Sequence, residues 1–400
     1  MFARSISVPL AGLFVAACVV GAKGAAGRAQ DSRVSPEVIV ARRYMTPIGT
    51  LSEKQAITIA SGKIQAIVPQ EKIPQEKNVV HYGNAVVCPG LIDVRSLAGA
   101  YGNVVESAFP VDPGASAIDS LDFHHRDFRR AVASGITAAL IAPTPGNVVA
   151  GACAVVKTGG KIRGRAGSVM RDDGPLVFGF GPATWKYDRA PTSRIGALTM
   201  IRSVMDKARN GSGHGRLRSF VAGELDAMVF CDAAIDVEGA IRVFGELLPH
   251  VSVVYTGDDY DVVQLLGESQ VSAIVGPYSF SMSQRTLSMA AALADAGVEV
   301  ALAGRMPIEG GLSLRRTASL AVRYGMDPAS ARRAITIAGA KVAGVSDRIG
   351  AIRAGMDADL VVFSDDPLRL DARVLAVYID GIRIYNADQQ LTMSAGGRDD

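Results

Sequence analysis

The sequence predicts an α/β protein: a (β/α)8, TIM-like barrel with a small β-sandwich domain formed by both chain ends. Three observations favour this fold. The middle of the chain, about 89–349, alternates between short apolar runs and helical stretches, as a parallel sheet covered by helices does. Both ends are rich in β-branched residues separated by polar turns. The length of 400 residues fits a barrel with a satellite domain.

The two β-rich ends are expected to pair into one composite domain, 31–88 plus 350–392. The first end contains "EVIVARRYM", "QAITIASGKIQAIV" and "NAVVCPG", and the second contains "ADLVVFSDDP" and "RVLAVYIDGIRIYN". Asp380 and Gly381 form a "DG" pair, which is a hairpin signal. Residues 393–400 are predicted to be a disordered tail.

The barrel prediction, 89–349, depends on apolar runs that end in polar or turn residues. Five of them are "ITAALIAP", "LDAMVFCDA", "HVSVVYTGDD", "SAIVGPYSF" and "VEVALAGRMP". Helical stretches such as "SMSQRTLSMAAALADAG" lie between them. No G-x-G-x-x-G follows a strand, so the sequence does not predict a dinucleotide site.

Composition excludes one class of partner. The chain is 48% hydrophobic and 20% charged, with a net charge of +3, which describes an ordinary globular protein. Lysine and arginine are scattered and form no basic block, so we predict no nucleic-acid binding.

Residues 1–30 have the pattern of a secretory signal peptide: Arg4, a short apolar run and then small residues. One interpretation is cleavage before Gln30, after "GRA". Another is a lipobox, "VAAC", in which Cys18 becomes the lipidated first residue; an uncleaved anchor is the third. We therefore predict export to the periplasm or the extracellular space, with a lipid on Cys18 as the only predicted membrane attachment.

Cleavage before Gln30 leaves three cysteines, Cys88, Cys153 and Cys231. Each lies in or beside an apolar run, and none belongs to a C-x-x-C pair. Buried free thiols are the favoured interpretation, and a reactive or metal-binding cysteine is the alternative.

Five stretches together resemble the metal-dependent amidohydrolase superfamily, most closely its imidazolonepropionase-related branch. They are "VVCPGLIDVRS", "ASGITAALIAPTPGNVVAGACAVVK", "PTSRIGALTMIR", "GMDPASARRAITIAGAKVAGVSDRIGAIRAGMDADLVVFSDDPL" and "VLAVYIDGIRIY". The resemblance implies the same barrel and β-sandwich. It also implies hydrolysis of C–N bonds, mostly in rings, by a hydroxide bound to zinc or another divalent ion.

The family's metal ligands fall on residues that cannot replace them. The strand 1 His-x-His falls on Arg95, Ser96 and Leu97, with the register fixed by "PGLID". The two later histidines fall near Phe230 and Thr256. The strand 8 aspartate falls near Arg305. Because arginine and leucine have no lone pair to donate, we predict no metal and no cofactor at this site.

Slipping the register does not supply ligands. None of the five histidines, His81, His124, His125, His214 and His250, ends a predicted barrel strand. The "HHRD" cluster is interpreted as a solvated helix start, with ion binding as the alternative.

Lys157 ends an apolar run and could correspond to the family's carboxylated lysine. A lysine at the barrel rim is the favoured interpretation, and a contribution to anion binding is the alternative.

Arg95 and Arg305 would place two fixed positive charges at the barrel mouth. They could form an internal ion-pair plug with Asp93, Asp232 or Asp258, or they could bind an anion through bidentate guanidinium contacts. A wrong placement is the remaining alternative.

Three hypotheses for function follow. The first is a catalytically inactive pseudoenzyme that acts as a binding or scaffold module for a small-molecule or protein partner. The second is a hydrolase that acts on the C–N bonds of cyclic amides. The third is a metal-free binder or enzyme for an anionic ligand held by Arg95 and Arg305. The resemblance also makes a homodimer plausible.

Overall fold

A computed structural model of the chain describes residues 38–73, 78–160 and 167–388. They belong to one compact unit, 33–400. The predicted signal peptide, Cys18 and the predicted tail from 393 onwards lie outside the described residues.

The described residues contain twenty strands. In chain order they are β1 Val38–Val40, β2 Arg43–Met45, β3 Leu51–Glu53, β4 Gln55–Ala60, β5 Lys63–Pro69, β6 Val79–His81, β7 Val86–Pro89, β8 Leu91–Ser96, β9 Ile136–Ile141, β10 Val149–Ala152, β11 Ala154–Lys157, β12 Ser168–Arg171, β13 Leu176–Gly179, β14 Ala227–Cys231, β15 Val251–Tyr255, β16 Ser272–Val275, β17 Val300–Leu302, β18 Leu360–Phe363, β19 Val374–Ile379 and β20 Ile382–Asn386.

Ten α-helices lie in the same part of the chain. They are α1 Arg126–Ala133, α2 Arg194–Arg209, α3 Gly215–Val221, α4 Ala234–Phe244, α5 Asp261–Ser269, α6 Gln284–Leu287, α7 Met289–Asp295, α8 Ser313–Arg323, α9 Pro328–Ala334 and α10 Ile337–Val342. None of these described helices has the length and hydropathy that a membrane crossing needs.

The two chain ends meet in one mixed sheet. Its strand order is β20-β19-β18-β7-β2-β3, so β18 from the C-terminal end lies against β7 from the N-terminal end. A second sheet has the order β5-β4-β1-β6. One buried cluster takes side chains from both sheets, including Ile39, Ile57, Val87, Leu360 and Tyr378.

Seven parallel strands form most of the barrel-like part. β8 and β9 are parallel neighbours, and β13 to β17 follow one another in parallel order. Alternate residues of these strands meet in a common apolar interior, among them Val94, Leu140, Phe230, Val254 and Ile274, as the two-residue period of a strand requires. Helices α2 to α7 connect the strands from β13 onwards.

The eighth position departs from the predicted all-parallel barrel. The segment 149–157 runs antiparallel to both of its neighbours: β11 pairs with β9 and β10 pairs with β13. The order is therefore β8-β9-β11/β10-β13-β14-β15-β16-β17. β8 and β17 contact each other but share no ladder in the described structure, so the barrel is not closed by strand pairing there.

Candidate functional site

A cavity of about 230 Å³ lies where the carboxyl ends of β8, β15, β16 and β17 meet. This is the end at which barrels of this kind build their sites. Its charged lining residues are Arg95, Arg305 and Glu309. The rest of the lining is hydroxyl-bearing or apolar: Tyr255, Thr256, Gly257, Val275, Gly276, Pro277, Tyr278, Met282, Thr286 and Met289.

Arg95 reaches the cavity because β8 is irregular. Its pairing with β9 shifts between Asp93 and Ser96, so Val94 and Arg95 of β8 together oppose the single residue Leu140 of β9. Such a bulge redirects a side chain at a strand end. The guanidinium carbon of Arg95 lies 5.1 Å from the centre of the Phe230 ring, in a cation–π arrangement. Burial and the nearby Arg305 lower the pKa of Arg95 to about 10, so its side chain remains charged at neutral pH.

Arg305 follows β17 and also lines the cavity. Its φ of +55° lies in the left-handed region, which costs a residue with a side chain roughly 1–2 kcal/mol. A neighbouring network stabilises this conformation, since the Arg305 N–H donates to Asp93 Oδ1 at 3.3 Å. In the described part of the chain, the guanidinium groups of Arg95 and Arg305 have no ion-pair partner.

Asp93 is the group that joins β8 to the segment after β17. Its fully buried carboxylate accepts the N–H groups of Gly304 at 2.8 Å, Met306 at 3.0 Å, and Arg305 and Arg95 at 3.3 Å each. Burial raises the pKa of Asp93, although these amide hydrogen bonds oppose the rise. Gly304 permits the close approach: an added Cβ would lie 2.9 Å from Leu314 Cβ.

This arrangement corrects the prediction of an ion-pair plug. Asp93 binds backbone amides rather than guanidinium groups. Asp232 accepts the Thr256 hydroxyl at 2.5 Å. No carboxylate of the described chain lies within ion-pair distance of either guanidinium, although Asp232 and Asp93 are close enough to oppose the lowering of the Arg95 pKa.

The other predicted metal positions lie close by but offer no ligand set. Thr256 lines the cavity, and Phe230 lies beneath the Arg95 guanidinium. Leu97 is half-buried, and its N–H donates to Met306 O at 2.7 Å. Of the five predicted positions, Arg95, Thr256 and Arg305 thus line one cavity, and Phe230 contacts Arg95.

Lys157 is neither at the barrel mouth nor available to an anion, which corrects both interpretations made for it. Its ammonium group is buried and lies 3.0 Å from Asp357 Oδ2, 3.0 Å from Asp359 Oδ1 and 2.7 Å from Asp380 Oδ1. The reason is strand direction. β11 is antiparallel, so its last residue pairs with Ala138 near the start of β9, at the opposite end from the cavity.

The residues at the mouth do not fit a divalent metal. Two guanidinium groups, a phenyl ring and a hydroxyl stand at the positions that the sequence analysis predicts for the ligands, and the positive charges would repel a cation. No cluster of three or more His, Cys, Asp or Glu side chains suited to a metal was found within the described ranges. The residues described at this mouth therefore do not support a reaction step that uses a bound metal.

The histidines serve other purposes or lie elsewhere. Nδ1 of His125 accepts the Asp127 N–H at the start of α1, and Nδ1 of His214 accepts the Arg216 N–H at the start of α3. His250 Nδ1 lies 3.2 Å from Asp226 Oδ1, before β15. The interpretation of "HHRD" as a helix start is confirmed for His125.

The three described cysteines are confirmed as buried free thiols. Cys88, Cys153 and Cys231 are unpaired and inaccessible. Burial raises the pKa of each thiol, which suppresses the reactive thiolate form.

Sequence reasoning missed part of the cavity. Glu309 lines it and pairs with Arg316 at 3.2 Å, and Met282 and Tyr278 supply apolar surface. Asp93 was noted only as a partner for arginine. Met282 lies in the loop that follows the carboxyl end of β16. This position in the sequence could have indicated that Met282 lines the cavity.

Comparison with known proteins agrees with this architecture. A model described as the amidohydrolase family matches residues 262–384. A crystal structure of an amidohydrolase from Thermotoga maritima is 25% identical, covers 87% of this chain and 100% of that chain, and has a TM-score of 0.77. These matches support the amidohydrolase superfamily. The mixed α/β architecture of this chain and its likeness to amidohydrolase structures are consistent with a TIM-like barrel.

Other relatives are more distant. The chain is 22% identical over 394 residues to amidohydrolase tasK of Hapsidospora irregularis, with 80% of this chain and 38% of that protein covered. The chain thus spans 38% of that amidohydrolase's length. A molinate hydrolase structure is 14% identical, with 88% and 95% of the two chains covered and a TM-score of 0.56. It shows the fold alone.

Proposed function

We propose that this chain is a metal-independent member of the superfamily's imidazolonepropionase-related branch, inactive as a metal hydrolase, whose barrel mouth binds a small anion. One observation carries the proposal: Arg95 and Arg305 converge on one cavity, and neither has an ion-pair partner in the described chain. Guanidinium groups bind carboxylate and phosphate through paired N–H donors.

The electrostatics of the free site favour occupation by an anion. Burial and the charge of Arg305 lower the pKa of Arg95, and the opposing effect of Asp232 and Asp93 does not cancel this change, so the charged form of Arg95 is disfavoured in the free site. A bound anion would supply a counter-charge in a partly desolvated place, where Coulomb attraction exceeds its value in bulk water.

The test combines metal analysis with ligand-dependent stability. Dialysed protein is expected to hold no stoichiometric zinc. Sodium formate or acetate should raise the melting temperature beyond sodium chloride of equal ionic strength, because a ligand that binds only the folded state stabilises it. Arg95→Ala and Arg305→Ala should abolish this difference. Arg202→Ala, which removes an exposed charge on α2, should retain it.

Two results would overturn the proposal. One is zinc that survives dialysis at one or more ions per chain. The other is an acetate effect equal to that of chloride, or an acetate effect that persists in both arginine variants.

A second candidate function is hydrolysis of C–N bonds in cyclic amides. The family model over 262–384 and the 25% identical amidohydrolase structure favour it. It requires an activated water. Glu309 is a carboxylate in the described lining, but it is paired with Arg316 at 3.2 Å, and the two arginines offer no metal ligand. Turnover of a cyclic amide that rises with added zinc and disappears with a chelator would favour this candidate over anion binding.

The proposal includes export to the periplasm or the extracellular space, based on the pattern of residues 1–30. A homodimer and a protein partner are further proposals. Fractionation of cells that express the full chain, followed by mass spectrometry of the mature N-terminus, tests export and distinguishes cleavage before Gln30 from lipidation of Cys18.

A further inference from the structure

Part of the lining of the mouth cavity is apolar. Val275 and Pro277 come from the end of β16 and the following loop, Met282 from that loop, and Met289 from the start of α7. Tyr278 is buried and also lines the cavity. The lining therefore combines two positively charged groups with a set of apolar side chains.

The hydroxyl groups around the cavity are already hydrogen-bonded within the protein. The Tyr255 hydroxyl donates to Asp259 O at 3.3 Å. Tyr278 Oη accepts the Ala290 N–H at 3.2 Å. The Thr256 hydroxyl is bonded to Asp232.

The remaining lining groups follow the same pattern. Thr286 Oγ1 lies 2.9 Å from Ser283 Oγ, and Glu309 Oε2 lies 3.2 Å from Arg316 Nη2. The guanidinium groups of Arg95 and Arg305 are thus the main unpaired polar groups that the described lining presents. A ligand's polar atoms should be concentrated at one end, against these arginines.

We infer that the ligand is a small monocarboxylate with an uncharged apolar body. This inference rests on the proposed anion-binding function and specifies its ligand class. The carboxylate lies against Arg95 and Arg305, and the apolar body packs on Val275, Pro277 and Met282. Burying that body against apolar side chains supplies affinity that the charge alone does not.

Size and charge both favour this class. Drug-sized ligands occupy roughly 300–1,000 Å³, and the cavity is about 230 Å³, which suits a body of a few carbon atoms. Glu309 also lines the cavity, so a second anionic group on the ligand would meet a carboxylate. A dianion such as phosphate or malonate is therefore disfavoured.

The test is a ligand-detected NMR titration of the full chain with acetate, propionate, isovalerate, phosphate and malonate at constant ionic strength. Each buried methylene is expected to improve affinity about fourfold. Isovalerate should therefore bind about 50-fold more tightly than acetate. Isoamyl alcohol, which has the same apolar body without the charge, should not compete.

Met282 provides a matched pair of variants because it is partly exposed and its replacement need not unfold the chain. Met282→Ser should reduce the preference for isovalerate over acetate at least threefold. Met282→Leu should keep the preference.

The outcomes separate this inference from the proposed function. If acetate binds but propionate and isovalerate bind no more tightly, the inference of an apolar monocarboxylate ligand is overturned. The proposed anion binding would still stand. Tighter binding of phosphate or malonate would also overturn it. No arginine-dependent binding of any anion would overturn the proposed function and this inference together.

Discussion

Asp93→Ala is expected to destabilise the chain more than any surface change near the cavity. The variant removes a buried carboxylate that accepts N–H groups from Gly304 at 2.8 Å and Met306 at 3.0 Å, with longer bonds from Arg305 and Arg95. These bonds join β8 to the segment after β17, where no strand ladder forms in the described residues. Removing the acceptor leaves several amides unpaired at the unclosed edge.

The magnitude follows from the two short bonds and one opposing effect. A buried donor left without a partner costs about 1–3 kcal/mol, so two such amides lose about 4 kcal/mol together. The variant also relieves the burial of a carboxylate, which raises the pKa of Asp93, and this gain offsets part of the loss. We expect the free energy of unfolding to fall by about 3 kcal/mol.

Urea unfolding followed by circular dichroism measures this change, with Asp206→Ala as the control. Asp206 is an exposed carboxylate on α2, and its loss should cost less than about 0.5 kcal/mol. Asp93→Asn keeps one acceptor oxygen and should fall between the two. A loss for Asp93→Ala no larger than that of Asp206→Ala would refute the reasoning.

The pH dependence of the Asp93→Ala penalty provides a second check. The folded-state pKa of Asp93 is above its ordinary value of 3.8. Between pH 3.8 and this raised pKa, the folded wild type therefore binds more protons than the unfolded chain. Wild-type stability due to this group therefore declines as pH rises through that interval. The penalty of Asp93→Ala should be largest below pH 3.8 and smaller at neutral pH.

Three further variants test other parts of the structure. Arg305→Gly should match or exceed wild-type stability, by up to about 1 kcal/mol, because glycine accepts positive φ, yet it should abolish acetate-dependent stabilisation; calorimetry measures both. Burial raises the pKa of Asp359 to about 6, so wild-type stability relative to Asp359→Asn should fall by up to about 3 kcal/mol between pH 3.8 and 6 in urea titrations; a constant difference would contradict this. Lys157→Met removes the described cation of Asp359 and Asp380, while Asp357 keeps Lys63 and Arg348; it should cost about 3–5 kcal/mol, with the acetate-dependent shift in melting temperature unchanged if the variant folds.

The convergence of Arg95, Phe230, Thr256 and Arg305 was predictable from the sequence. Each lies at or just after the carboxyl end of a parallel strand, and such ends meet at one edge of a barrel. "PGLID" fixes the register of β8 and so places Arg95 near the carboxyl end of that strand, but the irregularity of β8 that brings its side chain to the cavity was not predictable. The mixed α/β fold was predictable for the same reason, from the alternation of apolar runs and helices.

The direction of a strand was not predictable, and Lys157 shows why. "AVVK" has the same apolar pattern in a parallel and in an antiparallel strand, because side chains alternate between the two faces of the sheet in both cases. The carboxylates that surround Lys157 are about two hundred residues away in the chain. The sequence pattern therefore placed the lysine at the wrong end of the barrel.

The role of Asp93 was hidden for a different reason. Sequence patterns reveal side chains that can pair by charge, so an aspartate two residues before Arg95 suggested an ion pair. The acceptor's actual partners are backbone amides, which every residue carries and no pattern distinguishes. The ion-pair plug was therefore a natural expectation, and the unpaired guanidinium groups could be recognised only once these amide contacts were located.

Arg95 and Arg305 set the charge of the barrel mouth. Burial and the charge of Arg305 lower the pKa of Arg95 to about 10, although Asp232 and Asp93 oppose this change, so the charged form of Arg95 is disfavoured in the free site. In the described chain no carboxylate forms an ion pair with either guanidinium. Under the proposed function, an anion at the mouth offsets the repulsion between the two guanidinium groups and contacts apolar side chains of the same cavity. The charges that would repel a cation would then favour a ligand of the opposite charge.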